Sequence, residues 1–588
     1  MARTPLFNAL RRALAAAELE ANPAPMGPAD VILAQPTRRA LLQSGAALGA
    51  LGWAGCAGGD DKAPIDPTNG EHDTGFPDDT GPAGLQRVAV IGGGMAGLHC
   101  AYRLQQAGVE VRVYEANDRL GGRMFSDRGR FGDGQLCELG GELIDTNHAT
   151  LWALAEELGI QMDDRSAFLT EGAEAEQWWV GGRAVSTEAI TAQFAELAPT
   201  ILAQVARGEE DDGYFEEIDE MSLADWLDAH VPLDRWPELH AVLTVAYRGE
   251  FGLETAEQSA WNLLYLVGAD DPRPFRIFGE SDERYHAHTG SDAFPLGLAA
   301  LLEEGVVQAN RALIQASETA TGFALRFVDP DGVETTAEAE HLVFALPFSV
   351  LRIVDLSGLS LTAQKIAIID TLGYGTNAKV MIGFGSRAWA TEHGATGSLT
   401  TDLPSQQLWE TSLGQDGESG ILTDFLGGAQ GERCGEGTAE AWAADVVLPD
   451  LEQVWPGISA AATGTALRMH WPSAPWSRGS YTCFRPGQWA FWGSEGLREG
   501  KAHFCGEHTS LDYQGWMEGA AETGALVAAE IIMGLARPLS AEHLRCIATK
   551  LDRPQAGFRA GSLPPLGWRD RQRALARHRR RAPRPSNH

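Results

Sequence analysis

The chain has 588 residues, of which 44% are hydrophobic and 21% charged, and its formal net charge is −34. That length can bury a large core and suggests several domains of roughly 150 residues each, while the negative charge argues against nucleic acid as a partner because phosphates would be repelled. The 7 cysteines are scattered and form no C-x-x-C pair, which leaves neither a metal knuckle nor a disulfide framework to expect.

The first 85 residues do not read as folded protein. Thr37-Arg38-Arg39-Ala40-Leu41-Leu42 stands before a weakly apolar, glycine-rich run. The stretch resembles the twin-arginine export signal of bacteria, with a chance basic pair as the bland alternative. Ala54-Gly55-Cys56 resembles a lipoprotein cleavage site, although Trp53 occupies a position where leucine is usual. Lipid on Cys56 would anchor the protein to a membrane. Residues 57–85 are rich in Gly, Asp, Pro and Thr and read as a disordered linker.

The first folded segment is expected from residue 86. Arg87 to Ile91 is a short apolar strand, and Gly92-x-Gly94-x-x-Gly97 follows at once. Leu98, Ala101, Tyr102 and Leu104 then carry helical spacing up to Gly108. Val109 to Glu115 is a second strand ending on a carboxylate. The three glycines serve a tight turn, a close backbone approach to a pyrophosphate and close helix–strand packing. The helix N-terminus offers N–H groups and a positive dipole end to that pyrophosphate. Glu115 can accept ribose hydroxyls, and its charge disfavours a 2′-phosphate. A lone glycine motif would carry little weight; strand, turn, helix, strand and carboxylate in register point to a dinucleotide.

Glu115-Ala116-Asn117-Asp118-Arg119-Leu120-Gly121-Gly122-Arg123 continues the pattern, and "CELGGELID" spans Cys137 to Asp145. These stretches resemble the FAD-binding flavin amine oxidases: monoamine, polyamine and amino-acid oxidases. The first fingerprint is shared with carotene desaturases and protoporphyrinogen oxidases, so alone it implies FAD rather than a reaction. The resemblance implies cofactor contacts from Gly92, Gly94, Ala96, Gly97, Glu115, Ala116 and Arg123, and from the loop at Gly141 and Glu142. It places Val307 near the adenine, where plain strand core is an almost equal reading.

Further along, "GTNAKVMIGFGSRAW" sets Lys379 near the start of a strand and Trp389 at its close. The amine oxidases show the same spacing, and there the lysine holds a water against flavin N5. The alternative is a lysine on the solvent face. In "MHWPSAPWSRGSYTCFRPG" the spacing from Trp471 to Tyr481 is that of the family's flavin-packing tryptophan and first cage tyrosine. Animal monoamine oxidases carry a flavin-linked cysteine where this chain has Ser480, so the resemblance implies non-covalent FAD. In "AHFCGEHTSLDYQGWMEGAAETG" a strand from His503 to Gly506 leads to Glu507, and a helix begins near Trp516. Trp516 takes the second cage position, and the Met517 N–H would face the N1 edge of the flavin. Taken alone, Tyr481 and Trp516 would each be read as ordinary aromatic core; both standing at the family's motif positions, the resemblance implies a flavin-facing cage.

The expected fold class is α/β: a Rossmann-type FAD-binding domain of the GR2 type with an interleaved substrate domain of mixed sheet and helices. Expected boundaries are a signal over 1–56, a linker over 57–85 and FAD-binding parts over 86–165, 286–345 and 476–540. Substrate-domain parts run over 166–285 and 346–475, with a C-terminal extension and basic tail over 541–588. The expected function is oxidation of a small amine, with Lys379, Tyr481 and Trp516 as the catalytic set, no metal, and O2 as acceptor. A dehydrogenase that avoids O2, and a non-enzymatic flavin-binding lipoprotein, are the rival classes. Leu143 stands where the venom-type amino-acid oxidases carry a carboxylate-binding arginine, a role left to Arg248 or Arg284. Asp145 aligns with an acidic residue that some polyamine oxidases turn toward a distal ammonium; a loop or cap role is its alternative. Export by the twin-arginine route would suit an enzyme that must fold around FAD first, placing it in the periplasm or cell envelope.

Overall fold

The structure is a computed structural model, and it describes residues 87–169 and 176–534. The expected signal, Cys56, the linker and the basic tail lie outside the described residues. Strand β1 (Arg87–Ile91) runs into helix α1 (Met95–Gln106) and strand β2 (Glu110–Tyr114). Gly92 makes the turn at φ +109°, and a Cβ there would sit 2.6 Å from the Ala345 carbonyl oxygen. A Cβ on Gly97 would lie 2.0 Å from the Gly92 carbonyl oxygen, so only glycine lets α1 approach β1 this closely. Strands β3 (Val307–Gln308), β4 (His341–Phe344) and β5 (Ala502–Phe504) complete a five-stranded sheet in the order β5-β4-β1-β2-β3. All of its pairings are parallel. Residues from both ends of the chain therefore build one Rossmann-type sheet, and β1 and β4 are buried almost throughout. Helix α2 (Met517–Gly534) crosses α1 where a Cβ on Gly524 would meet the Ala96 carbonyl oxygen at 2.2 Å.

A second, seven-stranded sheet has the order Ala462–His470, Ala378–Phe384, Gly420–Leu426, Gln407–Glu410, Leu399–Thr401, Gln177–Val180, Arg183–Val185. Only the Leu399–Thr401 pairing with Gln177–Val180 is parallel. Trp178 on this sheet shares a core with the helices Thr187–Glu210 and Pro237–Phe251. A smaller sheet joins Glu334–Ala339, Phe323–Val328, Ala312–Glu318 and Asp355–Gly358. Its last strand lies past the expected boundary at residue 345, yet it pairs in parallel with Ala312–Glu318. The chain is thus a Rossmann-type FAD-binding fold interleaved with a mixed sheet and helices. Among the described residues no helix is long and apolar enough to cross a membrane.

Candidate active site

One cavity of about 560 Å³ starts at the glycine turn after β1 and continues beneath the seven-stranded sheet. At the turn it is lined by Gly92, Gly94 and Ala96, and beyond β2 by Glu115 and Ala116. Gly94 has φ −84° and ψ −175°, and a Cβ there would meet only the Gly122 Cα, at 3.9 Å. The protein leaves space at that point that a side chain would fill. Glu115 Oε2 accepts from the Gly93 N–H at 2.6 Å and Oε1 from the Asn117 N–H at 2.8 Å. Burial pushes its carboxyl above the ordinary value, against those N–H groups. Gly97 supports the turn from behind rather than lining the cavity.

The middle of the cavity is closed by Arg123, Gly141, Trp471, Glu507 and Met517. Arg123 Nη1 donates to Glu507 Oε1 at 2.8 Å and to the Ser480 carbonyl at 2.7 Å. Burial works against an ionised Glu507, but Arg123, His508 and the Gly515 N–H together hold the carboxyl below the usual range. Trp471 Nε1 donates to the Leu139 carbonyl at 3.2 Å, which fixes the indole against Gly140. Met517 opens α2, so the first N–H groups of that helix meet the cavity without intrahelical acceptors.

Lys379, Tyr481 and Trp516 all line the far part. Lys379 is 5% exposed, which rules out the solvent-face alternative. On its strand Ala378, Val380, Ile382 and Phe384 fill one core, while Met381, two residues from Lys379, packs with Phe131 and Leu139 on the opposite face. Lys379 Nζ donates to Glu142 Oε2 at 2.8 Å and to the Gly140 carbonyl at 2.9 Å. Glu142 Oε1 also accepts from Trp409 Nε1 at 2.9 Å and from the Thr411 hydroxyl. Burial pushes the Glu142 carboxyl up, but Lys379 and His286 more than offset this and hold it at about 2. The Tyr481 hydroxyl donates to the Glu250 carbonyl at 2.6 Å. Trp516 packs edge-on against His148, with ring centroids 5.5 Å apart.

Several sequence expectations require correction. Asp145 does not line the cavity; it is 3% exposed and already engaged. Its Oδ1 accepts from the Ser281 hydroxyl at 3.0 Å and the Glu283 N–H at 2.8 Å, and its Oδ2 lies 3.3 Å from His148 Nε2. Its loop role is the structural one. Val307 also lies outside the lining; it pairs with Val113 and packs on the core beneath the sheet. Arg248 is paired with Glu254 at 2.8 Å and Arg284 with Asp164 at 2.5 Å, and neither reaches the cavity. Arg165 does line it, together with Glu250, Glu283 and Trp409. None of these four sits in a motif with recognisable spacing.

A parallel Rossmann sheet, its glycine turn and carboxylate, and a cavity running on beneath a second sheet define an enzyme built around a nucleotide cofactor. The model of the family Flavin containing amine oxidoreductase matches residues 95–532, and the chain belongs to that family. A model for pyridine nucleotide-disulphide oxidoreductases matches residues 55–130. The chain is 24% identical over 473 residues to an L-amino-acid oxidase of Siganus canaliculatus, covering 76% of this chain and 85% of the relative. It is 25% identical over 475 residues to an L-amino acid dehydrogenase of Synechocystis, covering 76% and 94%. Among solved structures, cyclohexylamine oxidase from Brevibacterium oxydans shares the fold with a TM-score of 0.64 at 20% identity, covering 77% of this chain and 100% of that one. Putrescine oxidase bound to putrescine does so with a TM-score of 0.64 at 19% identity, covering 76% and 99%. The enzyme is a flavin-dependent oxidoreductase, and the open cradle at Gly94 and the helix start at Met517 fit a flavin nucleotide.

Proposed function

We propose that this enzyme oxidises a small amine at the carbon next to nitrogen, using FAD held without a covalent link and O2 as acceptor. The observation that carries the reading is the single cavity joining the dinucleotide turn to Lys379, Tyr481 and Trp516. When bound, the flavin supplies the acceptor for a hydride from that carbon and passes its electrons to oxygen, giving hydrogen peroxide, while the imine hydrolyses. Gly94 and the start of α1 receive the pyrophosphate, and Glu115 the ribose hydroxyls. Arg123, Glu142, Trp471 and Glu507 would hold the ring system, and the first N–H groups of α2 would stabilise negative charge on it. Tyr481 and Trp516 position the amine, whose nitrogen must be uncharged to release the hydride; their rings also attract its cation on approach. Lys379, oriented by Glu142, would hold a water for proton movement beside the flavin.

The test is anaerobic titration of purified holoprotein with a panel of amines and amino acids. An amine that bleaches the flavin is the expected result; a yellow colour persisting with every compound overturns the reading. Oxygen uptake compared with an artificial acceptor then separates oxidase from dehydrogenase.

The non-covalent link rests on chemistry near the flavin loop. Ser480 stands at the position where linked relatives carry cysteine, and none of the five described cysteines lines the cavity. Cys483 is buried, accepts from Asn262 Nδ2 at 3.6 Å, and burial pushes its thiol up. Acid or heat denaturation is therefore expected to release intact FAD into the supernatant. Colour that stays with the precipitate overturns the assignment.

Export is a separate part of the proposal, motivated by Arg38 and Arg39. Replacing both with lysine is expected to leave folded, FAD-loaded protein in the cytosol. Unchanged export of that variant overturns the twin-arginine assignment. Metabolic labelling with a fatty acid, lost on Cys56→Ser, tests the lipid anchor.

A further inference from the structure

The amine-binding part of the cavity contains two carboxylates that the reaction does not use. Glu250 lies in the last turn of the helix Pro237–Phe251, where the negative end of the helix dipole already favours a cation. Its carbonyl receives the Tyr481 hydroxyl at 2.6 Å, so its backbone is tied to the tyrosine assigned to the amine. Glu283 arrives from the loop before the strand Tyr285–Ala287. It is held by its own N–H on Asp145 at 2.8 Å and by its carbonyl, which accepts from Arg165 at 3.2 Å. Both residues line the cavity, and among the described residues neither carboxylate has a hydrogen-bond donor. Glu142 and Glu507, buried acids that line the same cavity, are each matched by a cation.

Two unmatched acids in one enclosed space are costly when ionised. Burial, followed by Glu283 and Asp145, pushes the Glu250 carboxyl up to about 8. Burial and then Asp145, opposed by Arg165 and reinforced by Glu176 and Glu142, push Glu283 up to about 7. Arg165 also lines this part, and its guanidinium donates to the carbonyls of Glu283 at 3.2 Å and Glu410 at 3.4 Å rather than to either carboxylate. Glu176 accepts from the Thr400 hydroxyl at 2.9 Å. Tyr481, Trp516 and the apolar Phe251, Phe275 and Phe278 complete the surroundings, and the one other cation of this part, Lys379, is paired with Glu142.

We infer that the substrate is a dication, whose second ammonium or guanidinium lies against Glu250 and Glu283 while its other nitrogen meets Tyr481 and Trp516. The inference rests on the proposed amine oxidation and adds its substrate class. A cation with several N–H donors supplies the hydrogen bonds that both carboxylates lack, and its charge removes their mutual repulsion. Binding then drives protons off the two acids. The advantage of a dication over a monocation of equal length therefore grows as pH rises through about 7 to 8, and it levels off above that range.

The decisive comparison sets putrescine and cadaverine against butylamine and pentylamine, with L-lysine included to separate a diamine from a basic amino acid. The expected ratio of kcat/KM, dication over monoamine, is about 10- to 100-fold, the worth of charged hydrogen bonds. It is expected to collapse in Glu250→Gln/Glu283→Gln, where the amides keep shape but lose charge. Preference for L-lysine retains the inference and makes the substrate a basic amino acid. A monoamine favoured by the wild type, or a ratio unmoved by the double variant, overturns it. Calorimetry with a bisguanidinoalkane, which carries no oxidisable amine, gives a reading independent of turnover. Tight binding with proton release in the wild type, lost in the double variant, supports the dication site. Absence of binding counts against it. Failure of every amine to bleach the flavin would instead remove the proposed reaction, with the calorimetry still reporting on the two glutamates.

Discussion

Replacing Lys379 with methionine is expected to destabilise the holoprotein by about 3–5 kcal/mol, because it leaves a buried carboxylate without its cation. Methionine keeps most of the apolar stem, so packing on that face of the strand is largely preserved. Glu142 keeps only the Trp409 and Thr411 donors, and the Gly140 carbonyl loses the ammonium it accepts from at 2.9 Å. The double variant Lys379→Met/Glu142→Gln removes charge and counter-charge together and is expected to recover much of the loss. Thermal unfolding of all four FAD-loaded proteins measures this as a coupling; simple additivity would show that the pair is not energetically joined. The pH dependence follows from the lowered Glu142 carboxyl. Its folded value of about 2 lies below the ordinary 4.5, so the pair's contribution is complete above that ordinary value and is lost as pH falls toward 2. Turnover of Lys379→Met is expected to fall about 10²-fold, the usual range for one positioned proton-transfer group. Stopped-flow spectroscopy is expected to find the larger loss in reoxidation by oxygen. Unchanged rates in both half-reactions, with normal flavin content, would leave Lys379 a purely structural cation.

Gly94→Val is expected to give folded but nearly colourless protein. The backbone at Gly94 is ordinary for any residue, and the nearest protein atom to an added Cβ is 3.9 Å away. The valine side chain would therefore strain little of the protein and would occupy the cradle assigned to the pyrophosphate. Flavin content after purification is expected to drop about tenfold or more, equivalent to at least ~1.4 kcal/mol of lost affinity. Far-ultraviolet circular dichroism should be retained. Gly97→Ala provides the contrast, since its Cβ would collide with the Gly92 carbonyl at 2.0 Å and displace α1 itself. A Gly94→Val protein with a full complement of flavin would show that the cofactor lies elsewhere.

The two predictions differ in how far their grounds could be read without a structure. The turn at Gly92 to Gly97 and the carboxylate at Glu115 belong to one contiguous strand–helix–strand unit. Their spacing alone implied a dinucleotide, because the interactions that shape the unit are local. The observed ends of β2, Glu110 and Tyr114, fall one residue inside the expected ones, ordinary fraying at strand ends. Lys379 was legible as a strand lysine, but not its direction. Every residue from Ala378 to Phe384 is buried, since the strand has neighbours on both sides and cores on both faces, so no polar alternation marks where its ammonium points.

Its partner Glu142 lies 237 positions earlier in the chain, and no pattern of spacing links them. Asp145 illustrates the converse. Its alignment with an acid of some polyamine oxidases suggested substrate, with a loop role as the alternative, and donors from Ser281 and Glu283 close around it beside the His148 ring once the loops meet. Glu250 at a helix end and Glu283 on a distant loop carry no motif at all. The sequence by itself determined the nucleotide unit, because that depends on short-range geometry and residue type, while its resemblance to the flavin amine oxidases carried the flavin family and implied the aromatic positions. The tertiary structure alone decided which charges are matched and which are left facing the cavity. Charge matching in a low-dielectric interior is a property of atoms brought within a few ångströms of each other, and only the folded chain sets those distances.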